Sequence, residues 1–348
     1  MRGKRPDENR EGNVRRKELL VPLLSALLGL LSVAALLRLA AGVPAIVFGV
    51  LALRRLNAAP DPDNPTRLWG KRLALGGVAL GAAGSVLGVI ALVSMGLLRL
   101  GEAGRKTTCA DNLRRIGLAV QGHHDLGAYP RAVVERQPRP ELMLAPWLGD
   151  PYSSRLSWMV EILPFLDQPG LKKSQGRFAA LFEKFDRERA WDDSVNREGI
   201  NTSVRAFLCA SHPHFDPQHR PALTSYVGIA GVGADAVELP LESRQAGFFG
   251  YERRLRRKDL VTGESYTLLA TETTLDNGPW AAGGWPTVRG LDPATRPYIG
   301  VGRPFGGLHP GGANLLMADA SVRFFTTKGS PELLESLATL ADDTLPED

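Results

Sequence analysis

The chain has 348 residues, 44% of them hydrophobic and 23% charged, with a net charge of +5 at pH 7. This is room for one large domain or two modest ones, and the ordinary balance of apolar and charged residues excludes a wholly disordered chain. Residues 1–72 hold thirteen Lys or Arg against six Asp or Glu, so +7 sits there and −2 on the rest, which excludes a nucleic-acid-binding field on the larger part.

Residues 1–18 read as a basic cytoplasmic tail and residues 19–100 as a transmembrane domain. Within it, Leu19 to Leu53 is too long for one simple crossing and carries Arg38 near its middle. It is either one long bent helix or a hairpin with Arg38 at the far turn. The tail is rich in Arg and Lys, and so is the loop 54–72, with Arg54, Arg55, Arg67, Lys71 and Arg72. The positive-inside rule places both in the cytoplasm, which favours the hairpin over 19–53. From Leu73 to Leu98 the chain runs 26 residues without a charge, enough to cross the hydrocarbon core as one helix. Gly77 and Gly81, then Gly84 and Gly88, form two G-x-x-x-G spacings that let a neighbouring helix pack closely, which points to self-association or to other cell-envelope proteins as partners. No small-residue cleavage site ends the first apolar stretch, so the chain is expected to stay anchored. The partner this implies is the membrane.

Residues 101–330 read as an extracytoplasmic domain, and 331–348 as an acidic tail. From Cys109 the sequence is "CADNLRRIGLAVQGHHDLGAYP". Leu113, Ile116, Leu118 and Val120 predict a helix ended by Gly127 and Pro130, running on from the membrane helix with an interruption around Gly101–Gly104. The middle, about 131–220, mixes Pro, charge and Trp and reads as short helices and loops. Strand candidates follow at Ser225–Ile229, Tyr266–Thr271, Ala313–Ala318 and Val322–Phe325, punctuated by Gly and Pro.

Several constellations invite a chemical reading. In "HPGGANLLMADASVRFF", His309 to Phe325, two short strands flank a turn at Asp319. Asp319 can accept a bond from the amide two residues on. Because Ala320 suits a type I′ turn less well than Gly, a type I turn or a loop of three or four residues is expected. This is a hairpin with a polar anchor, or a site using His309 and Asp319. A catalytic His needs a nucleophile or orienting partner, and no G-x-S-x-G element supplies one. His212-x-His214 beside Cys209 resembles a metal cluster but lacks the usual ligand set, so no metal and no cofactor are expected. His123 and His124 sit at a helix end, where a cation complements the dipole. The run Glu252–Asp259, "ERRLRRKD", reads as a solvated turn, and Trp191, Trp280 and Trp285 as partly buried core or hairpin cover.

The order of these segments, with "RLSWMVEILPFLDQPGL", "FLCASHPH", "TSYVGIAG" and "DLVTGESYTLLATE" between the ends, resembles the DUF1559 family of planctomycete-type bacteria. That family is also labelled an extracellular solute-binding family, SBP_bac_10. Its usual elements are C-x-N-N-L-[KR]-Q-I-G-L-A, R-[LV]-S-W, F-x-C-P-S, D-I-x-D-G-x-S-N-T and a terminal H-x9-D-G. The membrane part is similar to the DUF4190 domain through "GVPAIVFGVLALRRL" and "GKRLALGGVALG". The resemblance implies an α+β fold: N-terminal transmembrane helices, then a pilin-like domain with a long helix packed on an antiparallel β-sheet. It also implies a family motif and possible ligand site at His309, Asn314 and Asp319. Two departures stand out: Asp319-Ala320 replaces D-G, and Thr262-Gly263-Glu264-Ser265-Tyr266-Thr267 replaces D-G-x-S-N-T. The prepilin-like leader of typical members is absent as well, which speaks against assembly into a fibre.

Cys109 and Cys209 are the chain's two cysteines. Both fall in the segment placed outside the membrane and on positions where the resemblance has cysteines, so a disulfide between them is expected. The functional expectation is a membrane-anchored, multi-pass, non-enzymatic protein with its large domain outside the cytoplasm, in a structural or protein-interaction role. A solute-binding module, with a cleft near the Trp-rich loops and the terminal hairpin, is the alternative. A hydrolase using His309 and Asp319 comes third.

Overall fold

The computed structural model describes residues 37, 40–55, 57, 65–135, 152–167, 176–212 and 218–340. The basic tail and the first arm of the expected hairpin lie outside the described residues, as do residues 341–348. The chain divides into two compact units, residues 1–103 and 104–348.

In the first unit, residues 40–55 are helical (α1). A 60-residue helix, α2, spans Pro65–His124. It starts eight residues ahead of Leu73, so the last part of the expected loop 54–72 is helix. It is also unbroken at Gly101 and Gly104, where an interruption was expected. A glycine inside a helix costs only about 1 kcal/mol, too little to break a helix this long. The α2 helix is long and apolar enough to cross a membrane. Its apolar side chains there are largely exposed: Leu73 by 69%, Leu80 by 77% and Leu97 by 65%. Of the spaced glycines, Gly81 packs within this chain. A Cβ on it would lie 2.7 Å from the Gly42 carbonyl oxygen of α1, whereas one on Gly77 or Gly84 would meet nothing within 4 Å among the described residues.

The second unit is built on a five-stranded sheet. The strands are β1 Tyr226–Val232, β2 Leu268–Glu272, β3 Val288–Leu291, β4 Gly312–Met317 and β5 Val322–Thr326, in the order β3-β1-β2-β4-β5. Four strands are antiparallel as expected, but β3 pairs parallel to β1, so the sheet is mixed. The strand β3 escaped the sequence reading because "VRGL" carries a charge and a glycine at its centre. The fold absorbs both. The Arg289 guanidinium donates to the carbonyls of Trp285, Leu275, Asp276 and Pro304, and Gly290 lies so close to the Gly233 carbonyl that no Cβ would fit.

Strands β1 to β4 are buried on both faces, whereas the edge strand β5 is partly exposed. On one face lies the α2 segment from 104 on, presenting Cys109, Leu113, Ile116, Ala119 and Val120, all fully buried at the three-to-four spacing of a helix face. On the other lies a short helix, α3, Pro331–Ala338, which seats Leu334 and Leu337 against Val227, Ile229, Leu268 and Met317. Residues 331–338 are thus part of the domain, not the start of a tail. Ser330 caps α3 through the Leu333 amide, and Arg296 pairs with Glu332 and Glu335.

Candidate functional site

Three neighbouring strands place Tyr226, Glu272 and Asn314 in one row on the face under α2. Tyr226 pairs with Glu272 across β1 and β2. Asn314 follows one step on from the Thr271–Leu315 pair across β2 and β4. Glu272 is wholly buried, and Asn314 satisfies it twice: its amide donates to Oε2 at 3.0 Å and its side-chain nitrogen to Oε1 at 2.7 Å. Two donors on one buried carboxylate offset the desolvation that an unpaired charge would suffer.

Above this row sits the disulfide. Cys109 and Cys209 are bonded, with Cα atoms 5.2 Å apart across 100 residues of sequence, as expected from the sequence. The Tyr226 hydroxyl donates to the Cys109 carbonyl at 3.3 Å. Burial pushes that phenol well above its ordinary range, the Glu272 charge adds to the shift, and a hydrogen bond from Asn112 opposes it. The turn His309–Gly312 then brings His309 in from the loop before β4. Its Nε2 lies 3.5 Å from Cys209 Sγ and 3.4 Å from Glu272 Oε1, with no side-chain exposure. The donor atoms of Cys109, Cys209, Glu272 and His309 all lie within 4.8 Å of one another.

His309 and Asn314 therefore converge, and Asp319 stands apart on the β4–β5 turn. There its Oδ1 accepts the Ser321 amide at 2.8 Å. Burial acts to raise the Asp319 carboxyl, but the bond from the Ser321 amide, the nearby Ser321 and Ser265 hydroxyls and the Arg323 charge hold it below the usual carboxylate range. Glu272 was missed by the sequence reading. It ends the apolar run "YTLLATE" as a lone carboxylate, and only its place opposite Asn314 marks it.

The other candidates resolve individually. Cys209 joins His309 rather than His212, whose Nε2 meets Asn277 Oδ1 at 3.1 Å; His214 lies outside the described residues. His123 at the end of α2 pairs with Glu161 at 2.9 Å. Burial, then the Arg257 charge, lowers the His124 pKa. The run 252–259 is not simply solvated, because Arg253 is buried. Its guanidinium donates to the carbonyls of Ala236, Leu239, Ala230 and Phe249, and burial lowers its pKa to about 10. Trp280 is buried with its ring N–H donating to the Thr202 carbonyl, while Trp285 is 48% exposed under Arg289. A pocket of about 170 Å3 lies by His123, Tyr129 and Glu161, and one of about 420 Å3 by Arg177, Lys184 and Arg205; neither reaches the three tryptophans or His309.

No curated protein and no solved structure matches the chain. Residues 101–296 match the profile of SBP_bac_10, described as a protein of unknown function (DUF1559). This span holds Cys109, the R-L-S-W element, Cys209 and Glu272. With more than half of its length matched, the chain belongs to the DUF1559 family.

Proposed function

We propose that the chain is a multi-pass membrane protein whose domain from about residue 101 lies outside the cytoplasm and serves a structural or protein-interaction role, without catalysis. The observation that carries this reading is the Cys109–Cys209 disulfide, which follows closely on an apolar, exposed helical stretch. Disulfides persist in oxidising compartments and are rare in the cytosol. The basic residues of 1–18 and 54–72 support a cytoplasmic tail and loop, and hence a hairpin over 19–53. The likeness of the membrane part to DUF4190, the pilin-like plan and a planctomycete-type origin belong to the same reading. The burial of His309 supports a non-catalytic role: its imidazole has no side-chain exposure and faces Glu272 and a sulfur tied in a disulfide, neither of them an activated nucleophile.

The test is protease treatment of intact spheroplasts carrying a tag on residue 1. The domain after Cys109 is expected to be degraded and the tag spared. Protection of the domain would overturn the topology.

One observation favours a second reading, a solute-binding module. The pocket of about 420 Å3 carries Arg177, Arg205 and Lys184, the last paired with Glu198, and the adjacent Ser203 hydroxyl is buried without a hydrogen-bond partner among the described residues. A cavity of this size suits a small ligand, and its charge suits an anion. Thermal-shift titration with small dicarboxylates, compared between the native chain and Arg205→Ala, decides. Saturable stabilisation lost in the variant would favour this reading, and none would favour the first.

A further inference from the structure

Four metal-ligating groups meet in one buried spot: Cys109, Cys209, the Nε2 of His309 and the Oε1 of Glu272. We propose that before the disulfide forms, or after it is reduced, these four groups make a tetrahedral zinc site. The same pair of cysteines is then held either by a sulfur–sulfur bond or by a metal ion. This does not depend on where the domain lies.

Geometry carries the assignment. Zinc binds thiolate at about 2.3 Å, imidazole at about 2.0–2.1 Å and carboxylate at about 2.0–2.2 Å. Tetrahedral angles then set a sulfur–nitrogen edge of about 3.5 Å and a nitrogen–oxygen edge of about 3.4 Å. Cys209 Sγ to His309 Nε2 is 3.5 Å, and His309 Nε2 to Glu272 Oε1 is 3.4 Å. The second of these is longer than an ordinary N–H···O bond but right for two ligands of one ion. Two changes remain: the sulfurs part to about 3.8 Å, the edge between two zinc-bound thiolates, and the other donor atoms, now within 4.8 Å of one another, draw in to tetrahedral edges.

The surroundings fit as well. Asn314 grips Glu272 through both oxygens, the outer-shell orientation that ligating carboxylates need. Two thiolates, an imidazole and a carboxylate form a closed set, which suits a structural ion rather than a catalytic one.

The chemistry balances. A dithiol reductant breaks the Cys109–Cys209 bond, leaving two thiols and becoming a disulfide itself. Zinc then displaces both thiol protons to water. Because the spot is buried, the metal enters as the chain folds or, after reduction, as the chain opens locally, and its binding free energy adds to folding.

The test uses the full-length chain, produced in a host lacking envelope thiol oxidation and purified in detergent without oxygen. Thiols are counted with a maleimide and metal by mass spectrometry. The expected result is two free thiols and one zinc per chain, with cobalt substitution giving the visible bands of a tetrahedral thiolate site. Asn314→Ala is expected to weaken cobalt binding about 10–100-fold, and His309→Gln to weaken it further. The oxidised His309→Gln protein, checked by melting, shows whether that variant folds; if it does not, Asn314→Ala decides alone. Free thiols without metal, undiminished affinity in the deciding variant, or a chain that stays disulfide-bonded in that host would each overturn the proposal.

Discussion

Ala320 closes the β4–β5 hairpin at φ 65°, a conformation that L side chains adopt at a cost of about 1–2 kcal/mol. The loop is Ala318–Asp319–Ala320. The Ala320 amide donates to the Met317 carbonyl at 3.0 Å, and the Met317 amide to the Ser321 carbonyl at 2.9 Å. This three-residue loop is one of the forms expected from the sequence, a type I turn or a loop of three or four residues, with alanine where glycine is usual. Substituting Ala320→Gly relieves the backbone but loses a buried methyl, about 0.8 kcal/mol, and adds chain entropy, about 0.5–1 kcal/mol. These terms nearly cancel, so denaturant unfolding should find the variant within about 1 kcal/mol of the native protein. Asp319→Ala removes the Ser321 bond and should cost about 1 kcal/mol. Because the folded carboxyl lies below its ordinary value, its contribution is present above the unfolded pKa and fades as pH falls through the folded one. The gap between native and variant stability should therefore hold near neutral pH and close below about pH 4; a gap that persists in acid would assign it to something other than charge.

At the scale of elements, Gly117 sets how closely α2 lies on the sheet. A Cβ there would stand 2.8 Å from Leu316 Cδ1 and 2.9 Å from both the Cα and Cβ of Ala320. The backbone atom cannot swing away, so Gly117→Ala should destabilise by about 1–3 kcal/mol, read as a lower melting temperature. The rest of the helix motif has equally local reasons. Asn112 donates to the Leu208 carbonyl, and Gln121 to the Ala318 carbonyl. Four of the five strands were legible by composition, and β1 shows why their partners were not. All seven of its residues are buried, so it lacks the two-residue alternation that reveals a solvent face. The α3 helix was hidden differently: "PELLESLA" sits in an acidic end, and its apolar stripe matters only once a sheet face receives it.

For the molecule as a whole, the disulfide is the covalent cross-link. It ties α2 to the segment before β1 across 100 residues. Closing a loop of that length is worth roughly 4–5 kcal/mol in the chain-entropy model. Replacing both cysteines by alanine should lower the unfolding free energy by up to that amount in equilibrium denaturation, while a loss below about 1 kcal/mol would argue that the unfolded chain is already compact there.

By itself the sequence determined the long apolar stretch, the helix from Cys109, four of the five strands, the hairpin at Asp319 and the pairing of the two cysteines. Each rests on local pattern, on turn chemistry or on there being one pair to make. The tertiary structure alone decided that His309 and Asn314 belong together while Asp319 does not, and that Glu272 completes them. Residues 109, 209, 272 and 309 are distant in sequence, and only strand register and the seating of α2 bring them together; no local pattern encodes that row. The parallel strand β3 and the helix α3 were decided in the same way, because each is stable only where a neighbour buries its charge or its apolar face.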